Sequence, residues 1–295
     1  MAEVFYQWIV LLSKKYGLWI FKTYAWIVAT GFFLIFPLGV AAGVRFYRAL
    51  FPKKDLWFHL WCVWRQYHHF TSIFLDRFIL EEFADISYSS EGLEHIEKAI
   101  KEKTGGIILM SHMGNWEMAA NILKRKHPEI PLLLYMGIKQ KEQMERLQKE
   151  SLAGTGVKII GVEKENPSPF DIIEGVRFLK NGGMVSLTGD RIWYEGQKSV
   201  WIRFLGHELR LPETPYVFSL LSGSPLFVFF AFRTGQGKYH FSITKLEFTR
   251  SCTRSERKET VMRLAEQYAR LLEQALHNYP YQWANFGSFL GKRLK

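Results

Sequence analysis

Ser111-His112-Met113-Gly114-Asn115-Trp116-Glu117 is the stretch of this chain whose residue types and spacing are best suited to chemistry. It sets an imidazole five positions ahead of a carboxylate, where an apolar strand pattern ends and an amphipathic helix pattern begins. In open α/β sheets, ligands settle at the carboxyl ends of strands. Gly114 permits a tight turn, so Glu117, in the first turn of the helix, is expected to fold back toward His112. A histidine backed by a carboxylate is a general base, because the acid fixes the ring tautomer and stabilises the imidazolium. No Gly-x-Ser-x-Gly elbow or other convincing nucleophile accompanies the pair. The group deprotonated by His112 would then be a substrate hydroxyl attacking a carbonyl. The competing reading is a structural histidine. With 9 His and 28 acidic residues, chance alone supplies roughly one His-x4-acid spacing in such a chain. Placement at a strand-to-helix switch is what favours catalysis.

The elements that must hold this motif read as an α/β domain, a central mixed sheet flanked by helices. Gly106 to Ser111 is a buried strand pattern, followed by a helix over Asn115 to Lys126. Strands are expected at Leu132 to Met136, Val157 to Ile160, Met184 to Thr188, Ser199 to Phe204, Leu226 to Phe232 and Tyr239 to Glu247. Helices are expected at Lys139 to Leu152, Pro169 to Lys180 and Glu259 to Leu276, with Asn181-Gly182-Gly183 closing the second of these. No Gly-, Ser- or Pro-rich linker divides residues 86–295, which are expected to form one catalytic domain behind an amino-terminal segment, residues 1–85.

That amino-terminal segment is aromatic-rich, helical and suited to a membrane. The whole chain is 16% aromatic, and amphipathic rings favour lipid tails and headgroup zones. Its net charge of +11 points to an anionic partner, with a phospholipid surface or an acidic carrier favoured. No zinc finger, recognition helix or RNA-binding strand pair is legible, so nucleic acid is not expected as a partner. Tyr24 through Val44 carries no charge, a run of about the 20 residues needed to cross hydrocarbon. It lacks a cleavage site and is not expected to be a removed signal peptide. Pro37, Gly31, Gly39 and Gly43 interrupt it, so a kinked interfacial helix competes with a clean span. Both flanks are basic, Lys14, Lys15 and Lys22 on one side and Arg45, Arg48, Lys53 and Lys54 on the other, and the positive-inside rule therefore selects no orientation. Leu56 to Leu80 is a second helical pattern, aromatic and basic. Cys62 and Cys252 have no neighbouring thiol, which excludes a thiol metal site or redox pair and makes a reducing compartment the default. No His/Cys/acid cluster has ligand spacing, so neither metal nor cofactor is expected.

His112-Met113-Gly114-Asn115-Trp116-Glu117 resembles the His-x4-Asp/Glu motif of the lysophospholipid acyltransferase superfamily. It is most similar to the branch containing bacterial lipid A lauroyl and myristoyl acyltransferases and phosphatidylinositol mannoside acyltransferases. Later blocks follow in that branch's order: Gly189-Asp190-Arg191, Phe204-Leu205-Gly206, Leu211-Pro212-Glu213-Thr214-Pro215, Ser222-Gly223-Ser224-Pro225-Leu226, and Pro280-Tyr281-Gln282-Trp283 near the end. The likeness extends over roughly residues 86–290 and rests on several ordered motifs rather than one.

The resemblance implies an O-acyltransferase at the cytoplasmic face of a bacterial inner membrane, taking its acyl chain from acyl carrier protein or coenzyme A as co-substrate. It implies His112 as base and Glu117 as its orienting acid. Asp190 and Arg191 would shape the substrate site, with Arg191 suited to a phosphate or to polarising the reacting carbonyl. An ion pair with Asp190 is the plainer reading of Arg191. Asn115 and Thr214 are expected to contact substrate. Trp193, Tyr194, Trp201 and Phe204 are candidates for an acyl groove, and core packing explains them as well. The acceptor stays open among a lipid A precursor, a lysophospholipid and another glycolipid. Two rival functions stand beside it: a hydrolase in which the same pair activates water, and a non-enzymatic membrane adaptor that uses the basic aromatic face to bind lipid.

Overall fold

The structure is a computed structural model that describes residues 2–83, 86–138, 157–163, 169–192, 196–248 and 255–294. The helix expected at Lys139 to Leu152 lies outside the described residues, as do Trp193 and Tyr194. Contacts divide the chain into two compact units, one made of Met1–Tyr88, Arg233–Tyr239 and Gln274–Leu290, the other of Ser89–Phe232, His240–Glu273 and Gly291–Lys295. The first unit therefore holds more than the amino-terminal segment expected from sequence, since the Pro-x-Gln-Trp block joins it.

The first unit opens with α1 (Ala2–Tyr16), α2 (Trp19–Ile35), α3 (Pro37–Leu50) and α4 (Leu56–Phe83). α4 packs against both α2 and α3. The uncharged run read as one segment is two helices meeting at 91°. Pro37 has no N–H to continue α2 and fits the first turn of a new helix instead. The carboxyl-terminal block supplies backbone partners and large rings. Trp283 is buried between Phe46 and Phe289, with ring centroids 5.5 and 4.5 Å away, and Gln66 Nε2 donates to its carbonyl at 2.6 Å. The side-chain amide of Gln282 pairs with the Arg233 backbone as the backbone of a neighbouring strand would. Its Oε1 accepts from the Arg233 N–H at 2.9 Å and its Nε2 donates to the Arg233 carbonyl at 2.8 Å. The Arg233 side chain in turn grips the fully buried Asp76 of α4 through Nε and Nη2, at 2.7 and 3.0 Å, and Tyr239 Oη donates to the same carboxylate. A buried carboxylate held by charged and neutral donors avoids the cost of an unpaired buried charge.

The main sheet is mixed and seven-stranded, in the order β1-β9-β8-β2-β5-β3-β4, and comprises β1 (Ser87–Glu91), β2 (Gly106–Gly114), β3 (Leu132–Ile138), β4 (Lys158–Glu163), β5 (Met184–Thr188), β8 (Leu226–Gly235) and β9 (Lys238–Leu246). A second sheet orders β10 (Leu290–Arg293), β7 (His207–Pro212) and β6 (Ser199–Phe204). Among the described residues the helices of this part are α5 (Leu93–Lys101), α6 (Trp116–Lys126), α7 (Pro169–Lys180), α8 (Thr214–Ser222) and α9 (Arg257–Asn278). β2 is central and parallel to both its neighbours, β5 and β8. Strand β1 lies on the β8 side of it, whereas β3, β4 and β5 lie on the other. The chain thus reverses its direction of winding at β2, and a crevice opens at the carboxyl end of a strand at such a point. Buried on both faces, β2 reads as an almost unbroken apolar run, Gly106 to Met110.

Candidate active site

His112 lies near the carboxyl end of β2, with its side chain 17% exposed. Register explains what stands beside it. β2 and β5 pair in parallel with Met110 opposite Thr188, and the Gly189 N–H donates to the Met110 carbonyl at 2.7 Å. Two places further along, His112 meets Asp190. One carboxylate oxygen accepts the His112 backbone N–H at 2.8 Å, and the other lies 2.9 Å from Nδ1 of the ring. The Asp190 side chain is 1% exposed. A carboxylate only accepts, so Nδ1 is the donor and Nε2 carries the lone pair. With the backbone N–H and the ring Nδ1 both held by one carboxylate, the imidazole has a fixed tautomer and a fixed direction, which are the requirements of a general base.

Spacing along the chain points to Glu117 as the acid that orients His112, but the group against Nδ1 is Asp190. The physical reason is that strand adjacency brings together residues 78 apart, which no local spacing reports. Glu117 is buried in the first turn of α6, where the helix dipole favours a negative charge. Asn115 caps that helix, its Oδ1 accepting from the Met118 N–H at 3.1 Å, and its own N–H donates to the Ala231 carbonyl at 3.0 Å. Asn115 thereby holds the turn that presents His112.

Gly114 has φ +74°, and a Cβ built there would overlap the Ala231 carbonyl oxygen. Both facts require glycine. Gly114→Ala is therefore expected to lower the unfolding free energy by more than about 3 kcal/mol, combining left-handed strain with a backbone clash. Denaturant unfolding of the two proteins measures it.

Behind Asp190 the site is closed by phenols. Gly189 leaves room where a Cβ would stand 3.1 Å from Tyr268 Cζ and 2.5 Å from Leu109 Cδ1. Tyr216 of α8 and Tyr268 of α9 are fully buried. Burial pushes both hydroxyls well above the usual tyrosine range, and the Asp190 charge pushes them further, while the Ser111 hydroxyl opposes the shift at Tyr268. The two phenols therefore stay neutral beside Asp190. Nothing in their sequence context announced them, since a buried tyrosine is ordinarily core.

Arg191 follows Asp190 and is half-buried, its guanidinium pulled below the usual arginine value by burial and pulled back by Asp190. Thr214 is half-buried at the start of α8, beside Pro215. Phe204 is fully buried, as core packing requires, and Trp201 on the same strand is 59% exposed. Strand alternation sends the two to opposite environments rather than to one wall.

Comparison with known proteins adds to this geometry. A model of the bacterial lipid A biosynthesis acyltransferase family matches residues 69–294. Two proteins named phosphatidylinositol mannoside acyltransferase, from Mycobacterium tuberculosis strains ATCC 25618 / H37Rv and CDC 1551 / Oshkosh, are each 23% identical over 200 residues. Those residues are 65% of this chain and 56% of each relative, so the chain spans about half the length of the curated relatives it matches.

Proposed function

The chain belongs to the bacterial lipid A biosynthesis acyltransferase family, and from that premise we propose that it moves a fatty acyl chain from a thioester to a hydroxyl of a lipid. The observation that carries the reading is the two-point hold of Asp190 on His112 at the carboxyl end of the central strand. Nε2 takes the proton of the acceptor hydroxyl as its oxygen attacks the thioester carbonyl. The new C–O bond forms, the C–S bond breaks, and the imidazolium returns its proton to the departing thiolate. Thioester and alcohol thus become ester and thiol with no further reactant. Asp190 stabilises the transient imidazolium. Arg191 meets negative charge, on a phosphate of a substrate or on the carbonyl oxygen as it develops. Glu117 keeps the base of α6, and with it the His112 turn, in place.

The donor is an acyl carrier protein or coenzyme A thioester. The acceptor is a lipid A precursor or another glycolipid or lysolipid, a class consistent with the family description and with the names of the mycobacterial relatives. The basic, aromatic amino-terminal helices support work at an anionic surface, the cytoplasmic face of a bacterial inner membrane. The test incubates the full chain with acyl-labelled thioester, with and without a bacterial lipid extract. Label entering lipid ester only when extract is present is the expected result. Free fatty acid released at one rate in both mixtures would make the protein a hydrolase. Intact thioester in both, with binding to anionic vesicles, would make it an adaptor.

A further inference from the structure

The corner between α2 and α3 is built as a wedge. The Phe36 N–H returns to the Phe32 carbonyl at 3.1 Å and the two rings stack 5.1 Å apart, so α2 ends firmly. Gly39 and Gly43, one turn apart on α3, bring that helix close onto α4. A Cβ would stand 2.8 Å from Tyr67 Oη at the first position and 2.8 Å from Val63 Cγ2 at the second. Small residues four apart permit this close helix packing, and here they fix the bend from behind. The outer side of the corner is Leu34-Ile35-Phe36-Pro37-Leu38, apolar throughout, with Leu34 71%, Ile35 72% and Leu38 86% exposed.

Length and charge name what covers it. At 1.5 Å per residue α2 is about 25 Å long and α3 about 21 Å, each short of the roughly 30 Å of bilayer hydrocarbon. Among the described residues no single helix is long and apolar enough to cross a membrane. Two such arms meeting near a right angle, each tilted about 45° from the bilayer normal, reach on the order of 15 Å deep, the hydrocarbon of one leaflet. Lys22 lies at the outer end of one arm and Arg45 and Arg48 at the outer end of the other, with no charge between Lys22 and Arg45. A span would send these basic ends to opposite faces, against the positive-inside rule, whereas a hairpin returns both to one face.

We propose that the elbow is a re-entrant wedge in an anionic bilayer: α2 enters and α3 leaves by the same face, Leu34–Leu38 reach the acyl chains of one leaflet, and Lys22, Arg45 and Arg48 sit at the headgroups. This rests on the membrane-surface part of the proposed function and not on the acyl chemistry.

The test adds the full chain, carrying Cys62→Ser and Cys252→Ser, to preformed vesicles of phosphatidylglycerol and phosphatidylethanolamine. Lys22→Cys, Arg48→Cys and Leu38→Cys are introduced singly. The wedge requires that cysteines at 22 and 48 both react with an impermeant maleimide from outside. A fluorophore at 38 should become at least tenfold harder for iodide to quench when vesicles are present. Protection of either 22 or 48 until detergent is added would mean a span and overturn the wedge. Unchanged quenching at 38 on bound protein would overturn it in favour of a surface-lying corner. Failure of the unlabelled chain to sediment with vesicles would overturn both the wedge and the membrane part of the functional reading, and transfer activity in the thioester assay would stand or fall separately.

Discussion

His112→Ala is expected to lower turnover of acyl thioester in the presence of lipid acceptor by about 10²–10⁴-fold, the usual loss when a general base is removed. The side chain is partly exposed at the end of β2 and fills no apolar core, so the variant should keep the native circular dichroism spectrum and a cooperative melt. The effect should fall on kcat more than on KM, because Nε2 acts on the proton only as the C–O bond forms. A folded His112→Ala protein turning over within a few-fold of the parent would remove the imidazole from the mechanism.

Asp190→Asn is expected to approach the same loss, on the order of 10²–10⁴-fold in kcat, although it exchanges one oxygen for an NH2 group and little else. Asp190 accepts two donors, the His112 N–H and the ring Nδ1–H. An amide offers one acceptor and one donor face. The backbone N–H cannot turn away, so the amide oxygen goes to it and the NH2 group faces Nδ1. The ring then takes the tautomer that puts its proton on Nε2, and the base is lost without movement of a heavy atom. Should the amide turn the other way, a buried N–H faces an NH2 group at a cost of about 1–3 kcal/mol in stability. Steady-state kinetics and thermal melts of the variant separate these outcomes, the first losing the base outright and the second keeping its tautomer but losing the carboxylate charge that steadies the imidazolium, so that kcat falls in both. Equal kcat in Asp190→Asn and the parent, with Glu117→Gln inactive, would instead give the orienting task to Glu117.

His112 could be singled out because its signal is local: an apolar run, a turn glycine and a helix start within a dozen residues. The strands at Met184–Thr188 and Ser199–Phe204 and the helix at Pro169–Lys180 were equally legible from periodicity and caps. The contact between His112 and Asp190 was not, since pairing of β2 with β5 is a property of the sheet order. β1 escaped because Ser87-Tyr88-Ser89-Ser90-Glu91 has no apolar alternation and joins the sheet at its edge. α8 escaped because a nine-residue helix opening with Thr214-Pro215 is short and follows a strand without a turn cluster. The break at Pro37 was visible, but its angle depends on how closely Gly39 and Gly43 let α3 approach α4. Gln282 and Trp283 could be recognised as a signature. That one forms a strand-like pair with Arg233 and the other fills a nest of aromatic rings emerges only when residues some fifty and more than two hundred positions apart meet.

The most direct measurement is mass spectrometry of lipids from bacterial cells making either the parent protein or its His112→Ala form at matched levels. The account predicts a lipid species heavier by one fatty acyl residue, in ester linkage, in cells with the parent and absent from cells with the variant. Identical lipid profiles in the two strains, with both proteins folded and in contact with their thioester donors, would contradict it.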